Sequence, residues 1–200
     1  MLRTSLIFAL LTLLVAGSTL ALERDLVVRV ETAPNPWAEN GLEGAIVSQF
    51  TRDHNLRVST VAEDDPRYPQ FPSTPFDLDS LTNWGMEIGG RFLLTFVTES
   101  QRIDRRKSFH LPLVFHKWET VGVLAGEVRL IDLRRGRLLA AESFVAELPA
   151  KRVFQGTMDD NKYDPDIHLT PSEKTLLFRS LYELAAERLY EMVKPFLGGR

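Results

Sequence analysis

His110 and His116 bracket the apolar run Leu111-Pro112-Leu113-Val114-Phe115. Two imidazoles are the groups from which a periplasmic hydrolase or metal-dependent enzyme site would be assembled. Their His-x5-His spacing matches neither the i, i+4 pair of the helical zinc-protease motif nor a zinc-finger spacing. A metal centre there needs ligands from distant parts of the chain, and two half-buried or loop histidines are the bland alternative. The acidic stretch Met158 to His168 has a calcium-loop look. Counted from Asp159, however, position 5 is Tyr163 and position 6 is Asp164, where an EF-hand needs an oxygen ligand and glycine. A solvated acidic loop is the better reading. With no cysteine there is no thiolate nucleophile, no Cys-ligated zinc and no lipid-modified N-terminal cysteine. Neither a Gly-x-Ser-x-Gly elbow nor a phosphate loop occurs, so the expectation is a protein without enzymatic activity and without cofactor.

Arg102, Arg105, Arg106 and Lys107 make a basic cluster just ahead of that apolar run. Charge beside exposed apolar residues suits anionic headgroups or an acidic partner. The candidate partner-binding surface is Arg102, Arg105, Arg106, Lys107, Phe109, His110, Phe115, His116 and Trp118, read as a connection between two strands. The alternative is a solvated connection whose apolar part tucks into the domain. A second candidate is the strip in which Pro66, Pro69, Pro72 and Pro75 recur with the polyproline period and carry Tyr68 and Phe71 along one side. Its competing reading is a loop that rests two aromatics on the domain and covers a sheet edge.

The elements that must position these residues follow from composition and pattern. The 200 residues are 44% hydrophobic and 26% charged, with a net charge of −3, which is globular composition and leaves no strong positive balance for nucleic acid. Residues 1–21 read as a cleaved secretory signal: Arg3, then the apolar run Leu6 to Gly17, then Thr19-Leu20-Ala21. That run spans only about 18 Å as a helix, short of the roughly 30 Å membrane core. Residues 22–200 are expected to form one domain, periplasmic and not a lipoprotein. The alternative for residues 1–21 is an uncleaved anchor; no further run of membrane-spanning length occurs, so after cleavage the membrane contact expected is peripheral.

Leu26 to Val30 reads as a strand, and Asn35-Pro36 as the start of a helix that buries Leu42, Ala45, Ile46 and Phe50. Leu56 to Val61 is a second strand. Asp77 or Asp79 caps a helix that faces Leu78, Leu81, Trp84 and Ile88 inward and ends at Gly89-Gly90. Arg91 to Glu99 is the central strand. Thr120 to Ile131 and Arg137 to Glu147 are joined by a turn from Asp132 to Gly136. Thr170-Pro171-Ser172-Glu173 is a capping box that opens a last helix with Phe178, Leu181, Tyr182, Ala185, Leu189, Met192 and Val193 on one stripe. The order β-α-β-α-β-β-β-α predicts an α/β (α+β) two-layer sandwich on a mixed sheet of about five strands, parallel at first and antiparallel after.

Ile88-Gly89-Gly90-Arg91-Phe92-Leu93-Leu94, with Gly126 to Asp132 and Arg135-Gly136-Arg137-Leu138-Leu139, resembles the CsgG-like and TolB amino-terminal-like periplasmic domains. The resemblance covers most of residues 24–195. Arg91 stands where that pattern usually has Asp, so a role tied to the carboxylate does not carry over. The alternating transmembrane hairpins and the lipid-bearing cysteine of the CsgG pore are also missing. The resemblance implies a non-enzymatic interaction or assembly module of the bacterial envelope, with envelope protein partners or further copies of itself, and brings no catalytic residues.

Overall fold

The computed structural model describes residues 24–32, 35–37, 41–53, 56–60, 77–111, 115–156 and 169–197, with the side chains at 24, 25, 86, 107–111, 115–118 and 151–156 outside the description. The signal segment, the proline strip with Tyr68 and Phe71, and the acidic stretch 158–168 lie outside the described residues. The elements are β1 (Arg24–Glu31), α1 (Gly41–Thr51), β2 (Leu56–Thr60), α2 (Leu78–Ile88), β3 (Phe92–Leu111), β4 (Phe115–Asp132), β5 (Arg137–Gly156) and α3 (Pro171–Leu197). The sheet order is β2-β1-β3-β4-β5. β1 runs parallel to both β2 and β3, and the remaining pairs are antiparallel. This is the mixed α+β sheet expected from the pattern of elements.

Alternation along the strands divides the apolar residues between two layers. Leu26, Val28, Leu94, Phe96, Val128, Leu130 and Phe144 pack with α1 and α3 in the main core. Val27, Leu93 and Ile131 point the other way and pack with Leu81 and Trp84 of α2. Central β3 is therefore apolar on both faces from Phe92 to Leu94, as a strand covered on both sides must be. The second layer is small, because only the stripe of α2 needs an apolar surface there.

α3 forms as its sequence dictates. Thr170 N–H donates to Glu173 Oε2 at 2.7 Å, and Glu173 N–H donates to Thr170 Oγ1 at 3.3 Å. The reciprocal pair satisfies two of the donors a helix start leaves open. The hairpin turn after β4 is built by Asp132, whose Oδ1 accepts from the backbone N–H of Arg134 and of Arg135 at 3.1 and 3.2 Å. Gly136 closes it at φ 55°, a conformation that needs no Cβ. Leu133 in that turn is fully buried against α2, where a Cβ on Gly85 would sit 2.4 Å from its Cδ1. Leu133 N–H also donates to Arg91 O at 2.9 Å. The glycine pair after α2 and the Asp…Gly turn thus meet at one joint, and their work is structural.

Three expectations change. Asn35-Pro36 does not open α1, which begins at Gly41. Asn35 Oδ1 accepts from Trp37 N–H at 3.0 Å, so the side chain closes a local turn instead of capping a helix. The segment from 102 to 118 is not a connection: β3 and β4 continue through it and pair along their length to Leu111↔Phe115. β5 likewise runs past Glu147 to Gly156. A bulge at Ala150 accommodates Pro149 on this edge strand, where a proline costs least.

Candidate functional site

β3, β4 and β5 are 20, 18 and 20 residues long, against a usual five or six. β1 pairs with β3 only up to Val97, so the rest of these strands forms a three-stranded blade. Leu177, near the start of α3, rests on Gly122. From Gly122 to Phe115, β4 continues for about 23 Å beyond that contact. The residues of the first candidate surface, from Arg102 to Trp118, fall on the strands of this blade.

Ser100, Arg102, Asp104 and Arg106 share one face by alternation. Arg102 donates to Asp104 Oδ1 through Nε and to Ser100 Oγ through Nη1, both at 2.8 Å. Arg106 reaches across β4 to Glu147 on β5 with two parallel bonds of 2.7 and 2.6 Å. A planar guanidinium suits that fork geometry. Val121 and Val123 of β4, in register with Asp104 and Arg102, are buried at 4% and 2% exposure. Arginine stems running across a strand cover apolar surface while the charged heads stay wet. These four charges cancel, and Glu119 stands opposite Arg106 as a further carboxylate, so the described part of this ladder is not a basic patch.

Arg105 is on the opposite face with Ile103, which packs in the main core. Alternation thus separates Arg105 from Arg102 and Arg106. Lys107, Phe109, His110, Phe115, His116 and Trp118 occupy the far end of the hairpin, with Lys107↔Trp118, Phe109↔Lys117 and His110↔His116 as backbone partners. Their side chains lie outside the described residues. Sequence reasoning missed Asp104 and Glu147, the partners of the arginines. The alternation Ser100-x-Arg102-x-Asp104-x-Arg106 was the signal for a strand face.

The bonds from Arg106 hold the Glu147 carboxyl below the usual carboxylate range and raise the Arg106 guanidinium above its own. A carboxylate with a lowered folded pKa stabilises the fold above its unfolded pKa, and that contribution is lost as pH falls through the folded value. A double-mutant cycle of Arg106→Ala and Glu147→Ala, read by urea unfolding, should therefore give a favourable coupling at pH 7. In acid below the lowered value the coupling should be gone. Coupling that persists there would belong to the stems packed over β4, not to the ion pair.

At the root of the blade Asn35 Nδ2 donates to Gln101 Oε1 at 3.2 Å and to the Tyr182 hydroxyl at 3.4 Å. That hydroxyl in turn donates to Gln101 Oε1. Burial pushes the Tyr182 phenol up, which keeps it a donor. This triangle ties β3 to α3 and to the turn after β1, and its residues were not anticipated. Beside it a cleft of about 850 Å³ opens between α1 and α3, lined by Trp37, Arg52, Arg179, Glu183 and Glu187 among others. Lys174 Nζ stands 4.7 Å from the Trp37 ring centroid. Two arginines against two glutamates give the cleft no preference for the sign of a ligand.

Among the described residues no three His, Cys, Asp or Glu side chains gather as a metal site. No helix among them is long and apolar enough to cross a membrane. No protein-family model matches the chain, and no curated protein matches it in sequence. Solved structures do match in part. A Xanthomonas campestris protein of the family DUF330 is 10% identical with a TM-score of 0.48, over 87% of each chain. The minor lipoprotein of Acinetobacter baumannii is 11% identical with a TM-score of 0.43, over 86% of this chain and 93% of that one. The rare lipoprotein B of Shewanella oneidensis is 15% identical with a TM-score of 0.41, over 86% of this chain and 95% of that one.

Proposed function

We propose that this chain is an exported module of the bacterial envelope that works by binding, as an accessory to an assembly or transport system, and that the blade is its contact surface. The observation that carries the reading is the length of β3, β4 and β5, which continue past the helix that covers the sheet. A catalytic scaffold has no need of strands three times the usual length, whereas a surface that must reach a partner does. The segment read as an export signal and the resemblance to CsgG-like and TolB amino-terminal-like domains support the periplasm as its location. The single domain over 22–200 belongs to the same reading, with envelope proteins or further copies as partners and with no catalytic residue or cofactor.

The test is affinity capture with the tagged full chain from a crosslinked envelope fraction of its own source. A specific envelope protein should be recovered with the wild type and lost with the triple variant Arg105→Ser, Arg106→Ser, Lys107→Ser. Where Arg106 acts only within its ladder, the variant captures as well as the wild type, and the blade is then not the contact surface. Recovery of nothing specific overturns the binding reading itself.

A further inference from the structure

β5 is the last strand of the sheet, and among the described residues no strand pairs with its outer side. Its register with β4 is unbroken from Ala141 to Pro149. Two observations within that stretch show which backbone groups face outward. Arg188 of α3 donates through Nη1 to Val145 O at 3.4 Å, and Pro149 has no N–H to offer β4. Main-chain groups of an antiparallel strand alternate in direction, so Ala141, Ser143, Val145 and Glu147 present theirs to the outside. Such an edge is a template for a further strand, and the Val145 side chain stands on it at 53% exposure. Phe144 and Ala146 lie in the main core, so alternation puts Glu142 on the face that α3 covers. Glu142 is exposed there and has no ion pair among the described residues. Arg188 reaches the edge from this same face. Its charge adds to that of Arg106 in lowering the Glu147 carboxyl, which sets its head between Val145 and Glu147, at the level of Ala146.

We propose that two copies of this chain join by antiparallel pairing of their β5 edges, about a two-fold axis beside Phe144. Ser143 then opposes Val145 of the second copy, and Ala141 opposes Glu147. Each such pair exchanges both main-chain bonds, about eight in all. Ala146 opposes Glu142 of the second copy, so each Arg188 meets a carboxylate that has no partner in its own chain. Val145 O gives up Arg188 for a main-chain N–H as the head turns to that carboxylate. Moving the axis to Ser143 or Val145 carries Glu142 two residues, about 7 Å, away from Arg188. The register that sets Glu142 against Glu147 opposes outward groups with inward ones and makes no ladder. Each copy offers one such edge, so the pair closes as a dimer. Pairing is measured on the isolated chain, and its failure is therefore distinct from failure of the blade to capture an envelope protein.

The experiment is sedimentation equilibrium of the full chain as recovered after export, over a range of concentrations. Twice the chain mass is expected at high concentration, falling to the single mass on dilution. Val145→Pro removes an outward N–H that β4 does not use, and should leave single chains with an unchanged far-ultraviolet spectrum. Glu142→Arg and Arg188→Glu should each weaken pairing by about tenfold or more, since symmetry turns two attractive contacts into two like-charge ones. The two changes together restore opposite charges and should recover the dimer, which tests the register even where Val145→Pro does not fold. A single mass at every concentration overturns the proposal, and so does a dimer indifferent to Val145→Pro. Loss in both charge variants without recovery in the double variant overturns it too, as does growth beyond two copies.

Discussion

Gly126→Ala is expected to lower stability by about 3 kcal/mol, the upper end of what overpacking a core costs. Gly126 lies opposite Thr98 in β4, next to the bulge at Glu99 where β3 leaves β1 and enters the blade. A Cβ there would stand 2.4 Å from Val97 O and 2.9 Å from the Phe96 ring. The ring cannot give way freely, because Phe96 is 1% exposed and stacks edge-on against Phe144 at 5.6 Å. The carbonyl belongs to the neighbouring strand, so β3 and β4 must part or slip. Urea unfolding measures the loss. Gly44→Ala is the control: nothing lies within 4 Å of its Cβ position, and it should gain up to about 1 kcal/mol. A Gly126→Ala protein as stable as the wild type would mean that the bulge at Glu99 is soft. A slip at that point would also carry every later register pair of the blade, from the arginine ladder to the histidines, to the wrong face.

That joint shows what could be read from the chain and what could not. α3 was legible because a capping box and a long apolar stripe are local signals, and the structure buries Phe178, Leu181, Tyr182, Ala185, Leu189 and Val193. The Asp132…Gly136 turn was legible for the same reason. The blade was not. Ile103 is a lone buried apolar residue between Arg102, Asp104, Arg105 and Arg106, so the strand's inner face has too few apolar positions to reveal period two. Its charges are settled by Asp104 and by Glu147, which lies 41 residues beyond Arg106, and no spacing in the chain announces such a pair. The continuation of β5 past Glu147 was not legible either, since a bulge that admits Pro149 depends on the register of β4. Asn35 failed in a different way: its side chain suits a cap and a turn equally, and Trp37 N–H decided for the turn. The faces on which Arg102, Arg105 and Arg106 stand came only from register.

Phe50→Ala is expected to cost about 3–5 kcal/mol, as removal of a wholly buried ring does. Phe50 closes the inner stripe of α1 at 0% exposure, after Leu42 and Ile46. Its ring meets Tyr190 of α3 edge-on at 5.2 Å, and the Tyr190 hydroxyl donates to Asp53 Oδ2 at 3.1 Å, just past the end of α1. One side chain thus holds the C-terminal end of α1 against α3 and against the return into β2. A cavity left there cannot collapse easily, because the hydroxyl bond to Asp53 fixes the facing ring in place. Phe50→Leu keeps most of the volume and should cost less than about 1.5 kcal/mol. In thermal unfolding of a chain this size, each kcal/mol moves Tm by about 2–4 °C, so the two variants should separate by roughly 5–10 °C. Equal losses would mean that the edge-on ring pair, and not buried volume, holds the two helices together. The blade should stay folded in both variants, because β3, β4 and β5 pair with one another along their length and a loosened helix leaves their register intact.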